Sequence, residues 1–518
     1  MTLKLYVPLF VLMSFCSHLS NATPQSSHAT LTAIRDSMMH DEPTKAQALL
    51  TQYPDKTSYL YYLYSGNTFL MLSDPRVALM YYKYAKNVAN NTEERKIALF
   101  GITRSALWLE YYTTALNAFD ELSLMQLSPD DREVVTTGRV IAKTNMDYPR
   151  TAFSISQRQS IFHYPMSVIA ATKAALGSGW GYKAKAIWQS KASMLQQIPR
   201  GSYLINQKKY VDWLLKQQTS KEVLGGDYYT VQDSAAFRID RGSVFASYRS
   251  FGINSNTTVR LLKNEYFDPM HLADSNMLLL KQDMMNIDDR LDINLSVAPT
   301  NVTYKQSSQA SWNPFLWNAN GLYHINDYVL LSLNNSEGLV ETIPALQNKI
   351  LMNTTEGSVF IHPVPRAYAR LTGFHGLFTD HNNRNGLSAS LNYQLISELG
   401  LFSELRYREY QNSLYNDPNY FSPAQLQEGM LFLILKRQFN YTWFMSAEGG
   451  IGTQSILQTP SAERLDKQVL AYNLALTKII GGLAEINLNY GYSQAAFSNF
   501  VGAYAQTYFG ASAKIYLD

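Results

Sequence analysis

Cysteine is almost missing. Cys16 is the one cysteine among 518 residues, and it sits in an apolar N-terminal stretch. Without that stretch the chain has no thiol, which excludes a disulfide framework, a thiolate metal site and a cysteine nucleophile. Phe15 precedes Cys16 where lipid attachment needs a small residue, so lipidation is not expected. Charge is also sparse. Asp, Glu, Lys and Arg make up 16% of the chain, against the usual quarter, and the net charge is only +3, which argues against a nucleic-acid partner. Past the N-terminus no run of about 18 apolar residues occurs, so no spanning helix is expected. No HExxH, GxSxG or phosphate-binding loop is present, and the nine histidines are scattered. No catalytic constellation, metal or cofactor is therefore expected, and no enzymatic activity. The glycines of GGIGTQ (449–454) read as relief of crowding inside a strand.

What is present divides into three parts. Residues 1–22 read as a signal peptide: Lys4 begins it, Leu5 to Phe15 is its apolar centre, and Ser20-Asn21-Ala22 offers a cleavage site that leaves a mature start near Thr23. Residues 23–218 carry helical periodicity and read as a helical domain, with helix starts at Ser73-Asp74-Pro75 and Ser128-Pro129-Asp130-Asp131. A small residue recurs there in similar surroundings, at Ala78, Ala115, Ala152 and Ala186, with spacings of 37, 37 and 34. That is close to the period of tetratricopeptide-like helical hairpins, in which a small residue lets two helices approach closely. The full repeat consensus is missing, so a generic helical domain is the alternative. Residues 219–226 (TSKEVLGG) read as a linker.

Residues 227–518 change rhythm to two. In LDINLSVA (291–298), Leu291, Ile293, Leu295 and Val297 oppose Asp292, Asn294 and Ser296. LSASLNYQL (387–395) and LAEINLNYGY (483–492) alternate in the same way. Alternation puts apolar and polar residues on opposite faces of a strand. About sixteen such strands fit the segment, those near 310–324 and 349–363 being the weakest. The polar face is mostly Ser, Asn, Gln and Gly, the apolar one Leu, Ala and Tyr with Tyr near strand ends. This is the make-up of an antiparallel transmembrane β-barrel rather than of a soluble sandwich. The expected fold is thus α + β: an N-terminal helical-hairpin solenoid and a C-terminal barrel of about sixteen strands, wide enough for an aqueous channel.

The candidate functional residues are then wall residues of the polar parity: Asp292, Asn294, Glu404, Arg406, Arg408, Glu485, Asn487, Asn489, Gln506 and Lys514. Hydrogen-bonding and charged walls set selectivity in pores, and sugar hydroxyls suit Asn and Gln while sugar C–H faces suit Tyr. The alternative is that these charges pair with one another and stiffen the wall. Glu404 beside Arg406 and Arg408 gives no preference for polymer charge.

Three stretches carry a family resemblance. They are GLVETIPALQNKI (338–350) with Glu341-Thr342, GLFTDHNNRNGLSASLNYQL (376–395) with Asp380 and Asn382, and NDPNYFSPAQLQEGMLFLILKRQFNYTWFMSAEGGIG (416–452) with Tyr420-Phe421-Ser422-Pro423. With a helical domain ahead of a barrel, the chain resembles the bacterial outer-membrane exopolysaccharide exporters, such as the porins for poly-N-acetylglucosamine and the C-subunit of cellulose synthase operons. The resemblance implies a passive outer-membrane conduit with its helical domain in the periplasm. Implied partners are outer-membrane lipid, a secreted polymer that is most often a polysaccharide, and periplasmic or inner-membrane export proteins. The helical region is shorter than in those exporters, and a short helical domain plus a barrel also resembles translocons that deliver lipoproteins to the bacterial surface.

Overall fold

The computed structural model describes residues 25–158, 162–202, 204–234, 236–250, 254–268, 270–305, 309–397, 399–440, 442–494 and 505–517. The expected signal segment, with Cys16 and the cut after Ala22, lies outside the described residues. The chain forms two compact units, one of Gly179–Lys185 with Lys209–Asp518 and the other of the intervening and preceding helices.

The helical unit repeats a hairpin. Its helices are α1 (Gln25–Met39), α2 (Pro43–Gln52), α3 (Tyr59–Met71), α4 (Pro75–Val88), α5 (Thr92–Trp108), α6 (Tyr112–Ser123), α7 (Pro129–Asn145), α8 (Pro149–Arg158) and α9 (Pro165–Gly177). The chain continues through α10 (Gly181–Ser190), α11 (Ala192–Gln196) and α12 (Leu204–Thr219). The turn inside each hairpin has one recurring design. Asp41, Ser73, Glu110, Asp147 and Gly179 all have positive φ, between 58° and 76°. In the first four turns the next residue donates its N–H to the carbonyl five back: Glu42 to Ser37, Asp74 to Phe69, Tyr111 to Ala106 and Tyr148 to Lys143, at 2.8–2.9 Å. This left-handed cap satisfies carbonyls that a helix end leaves orphaned.

Five residues after each such turn stands an alanine with no exposed surface: Ala46, Ala78, Ala115, Ala152 and Ala184. Of the alanines expected to pack between helices, Ala78, Ala115 and Ala152 are fully buried, whereas Ala186 is exposed and the buried alanine of α10 is Ala184. The core is completed by large side chains seated against helices that have no side chain at the contact. A β-carbon at Gly138 would lie 2.1 Å from the Phe119 ring, and one at Gly101 2.3 Å from that of Tyr82.

The other unit is a closed barrel of sixteen antiparallel strands in chain order. They are β1 (Glu222–Asp233), β2 (Arg238–Ser250), β3 (Ser255–Phe267), β4 (His271–Ile287), β5 (Leu291–Tyr304), β6 (Phe315–His324), β7 (Val329–Leu339) and β8 (Leu351–Val364). There follow β9 (Ala367–Phe378), β10 (Asn383–Ile396), β11 (Leu401–Asn412), β12 (Gln425–Asn440), β13 (Trp443–Leu457), β14 (Leu465–Ile480), β15 (Ala484–Ser493) and β16 (Gln506–Leu517). Strands β1 and β16 close the cylinder, from Glu222 opposite Leu517 to Asp233 opposite Gln506. The weak stretches near 310–324 and 349–363 are β6 and β8. Residues 219–226 are not a linker. Val223 and Leu224 begin the alternation of β1, and Gly225 leaves room for the Phe245 ring, which would stand 2.4 Å from a β-carbon there.

Connections of two to four residues join strands at one end, which also holds the start of β1 and the end of β16. The opposite end has the longer described connections, 340–350 with a short helix α13 (Ile343–Gln347) and 413–424. Outward positions form an apolar belt: Val244, Leu261, Leu333, Leu405 and Ile451 are all more than half exposed. Tyr248, Tyr323, Tyr393 and Phe439 edge it toward the short turns, and Phe315, Tyr490 and Phe509 toward the long loops. Among the described residues no helix is long and apolar enough to cross a membrane. The barrel meets the demands of hydrocarbon by another route, with every strand edge paired and the apolar face outward.

Candidate functional site: the inner wall and an inward-folded loop

Strand β15 shows which face is which. Ile486, Leu488 and Tyr490 point outward, 38–46% exposed, while Glu485, Asn487 and Asn489 are on the inner wall. The cross-strand registers carry this parity around the cylinder. Asn487 faces Ser512, Glu404 faces Asn392, and Asn294 faces Asn320. All ten expected wall residues, Asp292, Asn294, Glu404, Arg406, Arg408, Glu485, Asn487, Asn489, Gln506 and Lys514, thus occupy inward parity.

The wall has two characters. Strands β5 to β8 present amides and hydroxyls, with Asn318 donating to Asn334 at 2.8 Å and Ser332 to Asn320 at 3.4 Å. Strands β9 to β13 present guanidinium groups laid on rings. Arg406 lies 4.0 Å over Phe432, Arg408 over Phe374 and Tyr410 at 5.4 and 5.5 Å, and Arg384 over Tyr410 at 4.6 Å. Phe432 lies flat because its neighbour in register is glycine: a β-carbon at Gly450 would stand 2.3 Å from its ring. The crowding-relief reading of GGIGTQ applies at this position.

Several wall charges are engaged with one another. Arg406 reaches Glu448 at 2.8 Å and Glu404 at 3.0 Å, and Arg260 meets Asp227 at 3.2 Å. Two of the expected pore residues act as braces. Asp292 accepts the N–H of Asn286 at 2.5 Å and lies 3.2 Å from His324, fixing the turn between β4 and β5. Glu485 accepts from Gln217 of α12 and from Asn487, both at 2.7 Å. Trp213 of α12 packs with Ile479 and Tyr516, its ring 5.1 Å from that of Tyr516. The last turns of α12 therefore lie against the inner wall at the short-turn end.

The long-loop end holds a second insertion. Loop 340–350 turns inward instead of standing above the rim. Ile343 and Leu346 pack on Ile239, Tyr266, Ala273 and Val302, inward residues of β2 to β5. On its other side Val340, Ala345 and Ile350 pack with Phe378 of β9 and Tyr420. Helix α13 begins with Thr342 as its cap, whose hydroxyl accepts from the Ala345 N–H at 3.2 Å and donates to the carbonyl of Asn419. Glu341 reaches the wall five strands from its own: Arg241 of β2 donates to its carboxylate at 2.6 Å.

The three motif stretches meet here. The Tyr420 hydroxyl donates to Asp380 at 2.9 Å and accepts from the Asn382 amide at 3.0 Å, while its ring stacks on Phe378 at 4.6 Å. Asn382 also accepts the N–H of Leu414 at 2.8 Å. Ser422 accepts from the Asp417 N–H at 2.7 Å, and Arg384 donates to the Phe421 carbonyl at 2.8 Å. The Pro423 carbonyl accepts from Asn412 at 2.6 Å. Glu341, Thr342, Asp380, Asn382, Tyr420, Phe421, Ser422 and Pro423 thus build one cap at the long-loop end. Reading the sequence missed Arg241, Asn264, Tyr266, Arg384 and Glu448. Parity alone places Arg241 and Glu448 inward, but nothing local signals their partners.

No family model matches the chain, and no curated protein does. Solved structures do. A bacterial polysaccharide outer membrane secretin is 11% identical with a TM-score of 0.45, over 58% of this chain and 99% of that one. CdiB from Acinetobacter baumannii is 12% identical at 0.39, over 57% of this chain and 60% of its own. The Pseudomonas aeruginosa protein OccK11 is 10% identical at 0.34, over 57% and 95%. Likeness at this level assigns no substrate.

Proposed function

We propose that the protein is an outer-membrane conduit that exports a polymer, most simply an exopolysaccharide, with its helical unit in the periplasm. The observation that carries this reading is the inversion of the barrel: apolar side chains outward in a girdled belt, hydrogen-bonding and charged ones inward. Lipid satisfies the first face and a hydrated bore the second. Short turns on barrels of this kind face the periplasm and long loops the exterior, which puts the entry of the chain into β1 on the periplasmic side. The helical unit precedes that strand in sequence, so it belongs to the same compartment, where it docks export proteins or guides the emerging chain. The Asn and Ser wall of β5 to β8 offers neutral donors and acceptors to sugar hydroxyls, and the ring-backed arginines of β9 to β13 offer stacking surfaces. No proton transfer or covalent step is assigned to any of these residues.

The test is genetic and biochemical. The protein should fractionate with outer membrane and show heat-modifiable gel mobility. Deleting residues 227–518 should abolish surface polysaccharide and leave surface lipoproteins in place. Loss of surface lipoproteins with normal polysaccharide would replace this reading with a lipoprotein translocon. Recovery of the intact chain in the soluble periplasm would end both.

A further inference from the structure

Glu341 sits in a seat that is built without it. Asn264 of β3 donates to Ser275 of β4 at 2.8 Å and to Tyr266 at 3.3 Å, and it accepts from Arg241 of β2 at 2.7 Å. Those bonds hold the guanidinium and the Tyr266 hydroxyl in place on three adjacent strands. Both groups then turn to one carboxylate, Arg241 at 2.6 Å and Tyr266 at 3.4 Å from the same oxygen of Glu341. The occupant comes from a loop and the seat from the wall. The pair is not sealed, since the side chains of Arg241 and Glu341 keep 29% and 21% of their surface. A competing carboxylate in the bore can therefore reach Arg241 first, while Tyr266, fully buried under Ile343 and Leu346, completes the seat only as the loop leaves.

From this we infer that the Arg241–Tyr266 seat is a carboxylate-binding subsite of the conduit, and that Glu341 fills it as a built-in occupant that latches loop 340–350 across the bore. The exported polymer then carries carboxylate groups, as uronate-containing polysaccharides do, and its arrival exchanges with Glu341 and frees the loop. This inference rests on the conduit reading above and adds the substrate class and the gate to it. The chemistry favours exchange over simple rupture. Lifting Glu341 alone leaves a guanidinium facing the bore without its anion, whereas replacing it with another carboxylate restores a charge-assisted bond.

The experiment uses the full chain in planar lipid bilayers, with folded barrel verified by heat-modifiable mobility. Glu341→Gln keeps the size and removes the charge, and it should raise the open fraction about tenfold or more, as expected for a lost charge-assisted bond. The charge-reversed pair Arg241→Glu with Glu341→Arg should return it toward the wild-type value. In Glu341→Gln, oligogalacturonate should block the open current at concentrations about tenfold lower than a neutral maltooligosaccharide of equal length, and Arg241→Gln should erase that difference. An unchanged open fraction in Glu341→Gln would overturn the latch. Equal block by acidic and neutral oligomers would overturn the carboxylate subsite and leave the conduit standing. If the folded protein carried no current even with residues 340–350 replaced by a Gly/Ser linker, the conduit reading would fall and this inference with it.

Discussion

The two units use the same side chains in opposite places. In the helical unit Leu99 and Leu122 have no exposed surface, and in the barrel Leu261 and Leu333 are more than half exposed. The helical unit pays no attention to parity; it hides a stripe of each helix against the next, so its apolar residues recur every three or four positions. The barrel hides polar residues from lipid, so its apolar ones recur every second position and face out. The difference teaches that exposure has meaning only relative to the solvent on that face. Leu333 is exposed to water by area and satisfied by hydrocarbon in function, whereas Leu99 is satisfied only by protein.

That contrast can be broken by substitution. The largest effect is expected from Leu99→Ala, which leaves a cavity among packed helices and should cost about 2–5 kcal/mol in urea unfolding followed by the helical circular dichroism signal. The same change at Leu261 should cost far less in a folded, lipid-embedded barrel, because lipid fills the space. Next comes Leu333→Arg, which sets a charge at mid-belt and should cost about 2–4 kcal/mol, while Asn320→Arg on the inner wall should be nearly silent. Barrel folding into vesicles, read by gel mobility, separates the two, and equal penalties would refute the assigned faces. Ser128, whose side chain caps α7 by accepting from the Asp131 N–H at 3.1 Å, should lose about 1 kcal/mol on replacement by Ala. The smallest effect is a pH dependence confined to the helical unit. Burial alone would raise the Glu121 carboxyl, but hydrogen bonds from Lys86 and Arg95 outweigh it and hold it below the usual carboxylate range. Its contribution is therefore present at neutral pH and is lost as pH falls below that range, and Glu121→Gln should flatten that acid limb of the stability profile.

How much of this could be read in the chain follows from the range of each interaction. The barrel was legible where alternation is unbroken, as in 387–395 and 483–492, because a period of two needs only neighbours. It was faint at 315–324, where Asn318, Ala319, Asn320 and Gly321 give little contrast between faces. The hairpin period was legible through Ala78, Ala115 and Ala152, but the fourth alanine was placed two residues late because the last interval contracts to match the turn at Gly179. The ten wall residues followed from parity, yet the roles of Asp292 and Glu485 as braces did not. Least visible was the cap. The motif residues were in view as three separate strings, but Glu341 meets a partner 100 residues away and Tyr420 one 40 residues away. No local rhythm encodes such meetings.

The seam between the first and last strands has a consequence for assembly. Every other pairing in the cylinder joins strands adjacent in sequence and can form as soon as a hairpin exists. The pairing of Glu222 with Leu517 joins residues almost 300 positions apart, so its loop-closure entropy is met only once all sixteen strands are present. Until then β1 and its latest partner-to-be are two bare edges open to pairing with other chains, and losing the last dozen residues would leave the sheet permanently open.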